Sequence, residues 1–302
     1  MLDKFRGCLL GLALGDALGA PYEGMTGPII FDLEKVLSSG TLSFTDDTMM
    51  ALCIARSIIA KKCFDPKDIA ENYLKWFLSG DLRGIGITVY KALSNYLRSR
   101  DWKACGIIDF WAAGNGVAMR VAPIALYDIY STEHVLYEHV RLDGWITHKN
   151  ELAISGAFAV ALAIRKAADG GKKEDVLTYV KTKLEEFGII NRVYDSIMKV
   201  IDLLDKNVAD HEAFKILGTS GYVVHTVSSA LFAFMHYDNY MDSVVSVIKA
   251  GDDTDTNAAV TGAIAGIYYG YNQLPSHLIE RLEDYQDILR ITDHLYDIVK
   301  KS

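Results

Sequence analysis

Apolar positions along this chain recur at helical spacing. Residues 49–54, 152–164, 223–234, 244–248 and 278–299 form apolar runs too long for strands, which predicts an all-α fold. Two runs carry a second pattern. Gly7, Gly11, Gly15 and Gly19 stand four residues apart, and Ala258, Gly262 and Gly266 repeat that spacing near the other end. On a helix such a stripe lies on one face and lets another backbone approach closely. Each glycine costs up to about 1 kcal/mol against alanine in a helix, so a close crossing must offset it. Polar interruptions at Asp255, Asn257 and Thr261 exclude a membrane dimer at Gly262 and Gly266.

No Pro/Ser-rich linker, charge block or fixed-period repeat divides the 302 residues, so a single domain over 1–302 is expected, with 169–175 as the one polar break to consider. Half the residues are hydrophobic and 23% are charged, the balance of a folded protein with a large core. The net charge of -8, with no basic stripe, argues against a nucleic-acid surface. Cys8, Cys53, Cys63 and Cys105 lie too far apart for a zinc knuckle or disulfide framework, which fits a reducing cytoplasm. The start resembles a signal peptide only superficially, because Asp3 sits in its basic region and glycines break its apolar part. No stretch reaches the ~20 apolar residues that span a bilayer. A cytoplasmic monomer is expected.

Chemistry concentrates in two acidic clusters, each just ahead of an apolar run. Thr45-Asp46-Asp47-Thr48 reads as a helix start, with Thr45 at the N-cap and the aspartates in the first turn. Taken alone, it has a capping explanation, since helix N–H groups and the helix dipole favour carboxylates there. Gly251-Asp252-Asp253-Thr254-Asp255-Thr256-Asn257 crowds three carboxylates into four positions, a repulsion that cations or water must offset. Brought together, the clusters offer the oxygen ligands that Mg²⁺, Mn²⁺ or Ca²⁺ accept, whereas zinc prefers nitrogen or sulfur. Asp46, Asp47, Asp253 and Asp255 carry about the charge that two divalent ions cancel. The spacing lacks the glycine and distal glutamate of an EF-hand.

Three other features bear on a cleft. Glu23 follows the first glycine stripe in a Pro-Tyr-Glu-Gly turn, and is either an ordinary surface glutamate or an acid facing the cleft. The Gly114-Asn115-Gly116 turn gives backbone N–H groups and room at a helix start, as a pyrophosphate requires. His148, read as opening the next helix, is either a cap partner or a phosphate or ribose contact. Tyr222, after Gly221, is either core or part of an adenosine surface. Asp16 is read as supporting the site or buried against helix N–H groups, and not as a ligand.

These motifs resemble the ADP-ribosylglycohydrolases, which include dinitrogenase-reductase-activating glycohydrolases and ADP-ribosyl-arginine and ADP-ribosyl-serine hydrolases. The resemblance runs through residues 11–23, Thr45-Asp46-Asp47-Thr48, residues 114–120, Thr147-His148 and residues 251–257. It implies an orthogonal multi-helix bundle and a binuclear centre of two Mg²⁺, with Mn²⁺ as the alternative. Thr45, Asp46, Asp47, Asp253, Asp255 and Thr256 match the ligand positions, and Glu23 matches the acidic residue beside the scissile bond. The implied activity is metal-dependent hydrolysis of the glycosidic bond between ADP-ribose and a protein side chain or small acceptor. Two departures stand out. Gly84 aligns where arginine-directed members carry an acid, with Asp81 as the nearby substitute, and His225 also stands where an acid is expected. A binding module without turnover and an unrelated two-metal phosphoesterase are the rival readings.

Overall fold

The computed structural model describes residues 1–38 and 40–301. Among these, 71% are helical, in seventeen helices, with no sheet, so the all-α multi-helix bundle predicted from spacing is what forms. No helix is long and apolar enough to cross a membrane.

The two glycine stripes meet each other. The helix Leu2–Gly19 runs antiparallel to the helix Thr254–Tyr269. Gly7 abuts Gly266, Gly11 abuts Gly262, Gly15 abuts Ala258 and Gly19 abuts Thr254, each so closely that an added Cβ would collide with the opposing carbonyl. The spacing of four on both helices keeps small residues in register along the whole crossing. Tyr240 closes the flank by donating from its hydroxyl to the Gly11 carbonyl at 2.7 Å. Thr254 does the same at the far end, donating to the Gly19 carbonyl at 2.9 Å. Both helices lie almost wholly in the core.

One helical expectation fails in detail. Residues 278–299 do not form one helix. A short turn, Ser276–Ile279, is separated from Tyr285–Val299 by a segment that pairs with the chain at Leu42, and Asp284 turns the corner at φ 52°. The polar run Glu280, Arg281, Glu283 and Asp284 has no apolar stripe to bury, so exchange of backbone hydrogen bonds with Leu42 wins. The stretch 80–86 is a loop between Pro66–Ser79 and Ile87–Ser99, where glycines at 80, 84 and 86 disfavour a helix. Residues 169–172 are a turn joining two mutually packed helices, Glu151–Ala167 and Lys173–Glu186.

The crossing makes a stability prediction. Gly262→Ala, an otherwise helix-favouring change, should cost about 1–3 kcal/mol through overpacking. Urea unfolding reads it, and a variant as stable as the parent would show that the helices are free to move apart.

Candidate functional site

The end of the glycine crossing is where both acidic clusters arrive. Asp16, between Gly15 and Gly19, is fully buried and reaches the start of the helix Asp46–Lys61. Its carboxylate accepts from the Thr45 and Thr48 backbone N–H groups at 2.9 and 3.1 Å and from both hydroxyls, at 2.9 Å for Thr45 and 2.6 Å for Thr48. Asp16 is thus the cap of that helix, as one of its two expected roles had it. Thr45 stands at the N-cap position but makes no side-chain cap, which corrects the capping reading of its hydroxyl. The reason is competition: Asp16 already takes the exposed N–H groups, so the Thr45 hydroxyl donates to Asp16 instead. Asp253, at the N-cap position of Thr254–Tyr269, also makes no side-chain cap.

Freed from capping, the carboxylates face one cavity of about 310 Å³. Glu23, Asp46, Asp47, Asp253, Asp255 and Thr256 all line it, with Gly84, Gly114, Asn115, Gly116 and His148. Thr45 sits behind this wall and ties the clusters together. Its Oγ1 is 3.2 Å from Asp47 Oδ2 and 3.5 Å from Asp255 Oδ2, while Thr256 Oγ1 is 3.4 Å from Asp47 Oδ2. Asp46, Asp47 and Asp255 are buried, and Asp47 Oδ1 has no hydrogen-bond partner among the described residues. No lysine or arginine lines the cavity among the described residues. A buried carboxylate oxygen left unpaired costs on the order of 1–3 kcal/mol or more.

Burial and mutual repulsion push these acids up. Asp46 rises to about 8, through burial and then the charge of Asp16, and Asp255 to about 10, through burial and then Asp253. Asp47 is driven well above its ordinary range by the same two effects. Burial raises Asp16 to about 6 against the pull of its threonine hydrogen bonds. An oxygen-only donor set with an orphaned oxygen and no neutralising side chain fits a hard divalent cation. Among the described residues, however, no three carboxylate, imidazole or thiol groups are already close enough to hold a metal ion as they stand.

Glu23 follows the turn Ala20–Tyr22 and is exposed at the cavity, its carboxylate free of hydrogen bonds and ion pairs among the described residues. Partial burial, then the charge of Asp253, raises its pKa. The loop after it is stitched to the second cluster: the Gly24 N–H donates to the Asp252 carbonyl at 2.8 Å and the Asp252 N–H to the Met25 carbonyl at 2.7 Å.

The opposite wall departs from expectation. Asn115–Val117 is a single 3-10 turn and not a helix start; the Asn115 N–H is spent on the Gly221 carbonyl at 3.0 Å. The Asn115 amide donates to Asp253 Oδ2 at 2.7 Å and Thr226 Oγ1 at 2.9 Å, fixing the turn to the acidic cluster. Gly116 is demanded by His148, whose ring would meet a Cβ there at 2.7 Å. His148 ends the helix Glu133–Thr147 instead of opening the next, which Asn150 caps. The fully buried Arg120, paired with Asp143 at 2.9 Å, donates to Thr147 Oγ1 at 2.8 Å. The same threonine hydroxyl lies 2.8 Å from His148 Nδ1, which leaves Nε2 facing the glycine turn. Burial and then Arg120 lower His148 to about 3, so the ring is neutral.

The Tyr222 side chain is not brought to this cavity. It lines a separate hollow of about 290 Å³ with His225, while Gly221 lines the first. Tyr222 is extended at φ -75° and ψ 121°, so it points opposite its neighbour. Asp81 is also elsewhere, bound to Arg83 at 2.9 Å. Thr88, Trp111 and Met119 line the cavity without having been anticipated. Trp111 stands 85% exposed beside the glycine turn.

Residues 1–302 match the model of the family described as ADP-ribosylglycohydrolase. A human protein named ADP-ribosylhydrolase ARH3 is 32% identical over 100% of this chain and 95% of its own length. A Pseudomonas putida (strain GB-1) protein named ADP-ribosylarginine hydrolase Tri1 is 30% identical over 98% of this chain and 78% of its own. A solved structure described as an ADP-ribosylglycohydrolase-related protein complex superposes with a TM-score of 0.80 at 29% identity, covering 99% of this chain and 98% of that one.

Asp16 offers a direct test of how the site is assembled. Asp16→Ala should cost about 2–3 kcal/mol, from a lost helix cap and two stranded hydroxyls. Denaturant unfolding without metal measures this, and an unchanged midpoint would mean the cap contributes nothing.

Proposed function

The chain belongs to the ADP-ribosylglycohydrolase family and is a hydrolase, and on that premise we propose that it cleaves the glycosidic bond between ADP-ribose and an acceptor, releasing ADP-ribose. Thr45, Asp46, Asp47, Asp253, Asp255 and Thr256 hold two divalent cations, Mg²⁺ or Mn²⁺, in this reading. The observation that carries it is the pairing, on one cavity, of a buried oxygen cluster lacking any cationic partner with an unengaged glutamate. Bound metal would supply positive charge that grips ribose hydroxyls and offsets charge as the bond breaks.

The chain's own groups do the rest. Glu23, with its pKa raised by partial burial and then by Asp253, holds or transfers a proton at the exposed side of the cavity. His148 presents its neutral ring by Nε2, suited to a phosphate or ribose contact without adding charge. Asn115 fixes Asp253 while its flanking glycines keep that wall bare. These contacts orient the substrate so that the scissile bond lies against Glu23.

Gly84 bears on the acceptor. The Pseudomonas relative is named for arginine, and arginine-directed members carry an acid where Gly84 aligns. Here Gly84 has φ +77°, and a Cβ would stand 2.6 Å from Asp46 Oδ1 and 2.9 Å from Thr45 Cβ. Asp81 is committed to Arg83. With glycine in place of that acid and Asp81 held by Arg83, an O-linked acceptor on a protein or small conjugate is favoured.

Asp255→Asn should lower ADP-ribose release by about a hundredfold or more, as should metal removal by chelator. Glu23→Gln should lower kcat by roughly 10²–10⁴ while ADP-ribose still binds. A panel of serine-, acetyl- and arginine-linked substrates should favour the first two. Tight ADP-ribose binding without release from any of them would instead identify a binding-only member.

A further inference from the structure

A second hollow, larger than the first, lies against the loop that follows Glu23. It measures about 450 Å³ and shares no lining residue with the carboxylate cavity. Phe214, Pro28 and Ile29 give it an apolar surface, and Lys215 and Lys249 add two ammonium groups. Neither lysine is ion-paired among the described residues. Two carboxylates line the hollow as well, Asp210 accepting from the Tyr237 hydroxyl with His211 3.8 Å away, and Asp252 accepting from the Thr219 hydroxyl at 3.1 Å. Each lysine sits in the last turn of its helix, Asp210–Leu217 or Tyr240–Ala250, where the dipole favours a cation. That explains each lysine singly. It does not explain why, in a chain of net charge -8, both flank one apolar hollow.

The walls of this hollow are bonded to the catalytic loops. Residues 26–29 continue from Glu23, and the Ile29 N–H donates to the Lys249 carbonyl at 2.8 Å. Gly27 presses so closely on Ala250 that a Cβ would collide with its carbonyl. Thr219 accepts the Asp253 N–H at 3.1 Å on its carbonyl and donates to Asp252 at 3.1 Å. Anything filling the hollow therefore touches segments bonded directly to Asp253 and to the Glu23 loop.

We propose that this hollow binds a small amphipathic anion, an apolar ring system bearing one sulfonate, carboxylate or phosphate, and that its occupancy changes turnover at the carboxylate cavity. The binding half stands on the hollow alone; the regulatory half rests on the function proposed above. The probe is 8-anilinonaphthalene-1-sulfonate, with uncharged N-phenyl-1-naphthylamine as the same ring system without the anion. The full-length protein should bind the sulfonate at one site, more weakly as salt rises, and saturating ADP-ribose should leave it bound. Lys215→Gln with Lys249→Gln should weaken binding about tenfold or more, with unchanged basal hydrolysis. The uncharged analogue should bind the parent no better than the double variant binds the sulfonate. Saturating sulfonate should shift kcat/KM of the parent by about fivefold or more and leave the double variant unaffected.

Equal affinity of parent and double variant for the sulfonate, or expulsion of the probe by ADP-ribose, would overturn the site. Full occupancy with unchanged kcat/KM would overturn the regulation. If no ADP-ribosyl substrate is hydrolysed at all, the proposed function fails, and the fluorescence titrations still decide the binding site.

Discussion

The contact on which everything else depends is a backbone-to-backbone crossing of two helices. Four successive pairs, from Gly7 with Gly266 to Gly19 with Thr254, remove side chains from the interface, so the helix axes come nearer than larger residues allow. Such proximity fixes rotation and register together, since a shift of one residue would drive a side chain into a carbonyl. The chemistry begins where the small residues end. Glu23 lies just beyond the C-terminus of one helix, and Asp253 and Asp255 flank the N-terminus of the other.

Asp16 extends this control to a third helix. Because it lies on the crossing, its carboxylate holds the start of Asp46–Lys61 at a set distance from Asp255, and Thr45 fills the space between. The cost is a cluster of buried acids raised far above their ordinary range, with one oxygen unpartnered. Stable folds retain such a cluster only where something offsets it, and a divalent cation does so with the least disturbance. The same crowding explains Gly84: a side chain there has no room beside the Asp46 carboxylate.

Much of this was legible in the chain. Spacing of four at Gly7 through Gly19 announced a close crossing, and density of acids at 46–47 and 252–255 announced a shared cavity. What spacing did not disclose was partnership: that one stripe would meet the other, and that Asp16 would take over the cap that Thr45 was positioned to make. His148 was misplaced because the next helix starts only after Asn150, whose cap was a local signal left unread, while the preceding helix runs on to Thr147. Tyr222 turned away because one extended residue reverses a side chain's direction, which no composition records.

The central claim is that the buried acids exist to hold two hard cations. Titrating Mn²⁺ into chelator-treated protein, with bound and free ion separated by electron paramagnetic resonance, tests it most directly. Two Mn²⁺ per chain with a spin-coupled signal, lost in Asp47→Asn, is the predicted result. A protein that binds no Mn²⁺ and still releases ADP-ribose at full rate would contradict it.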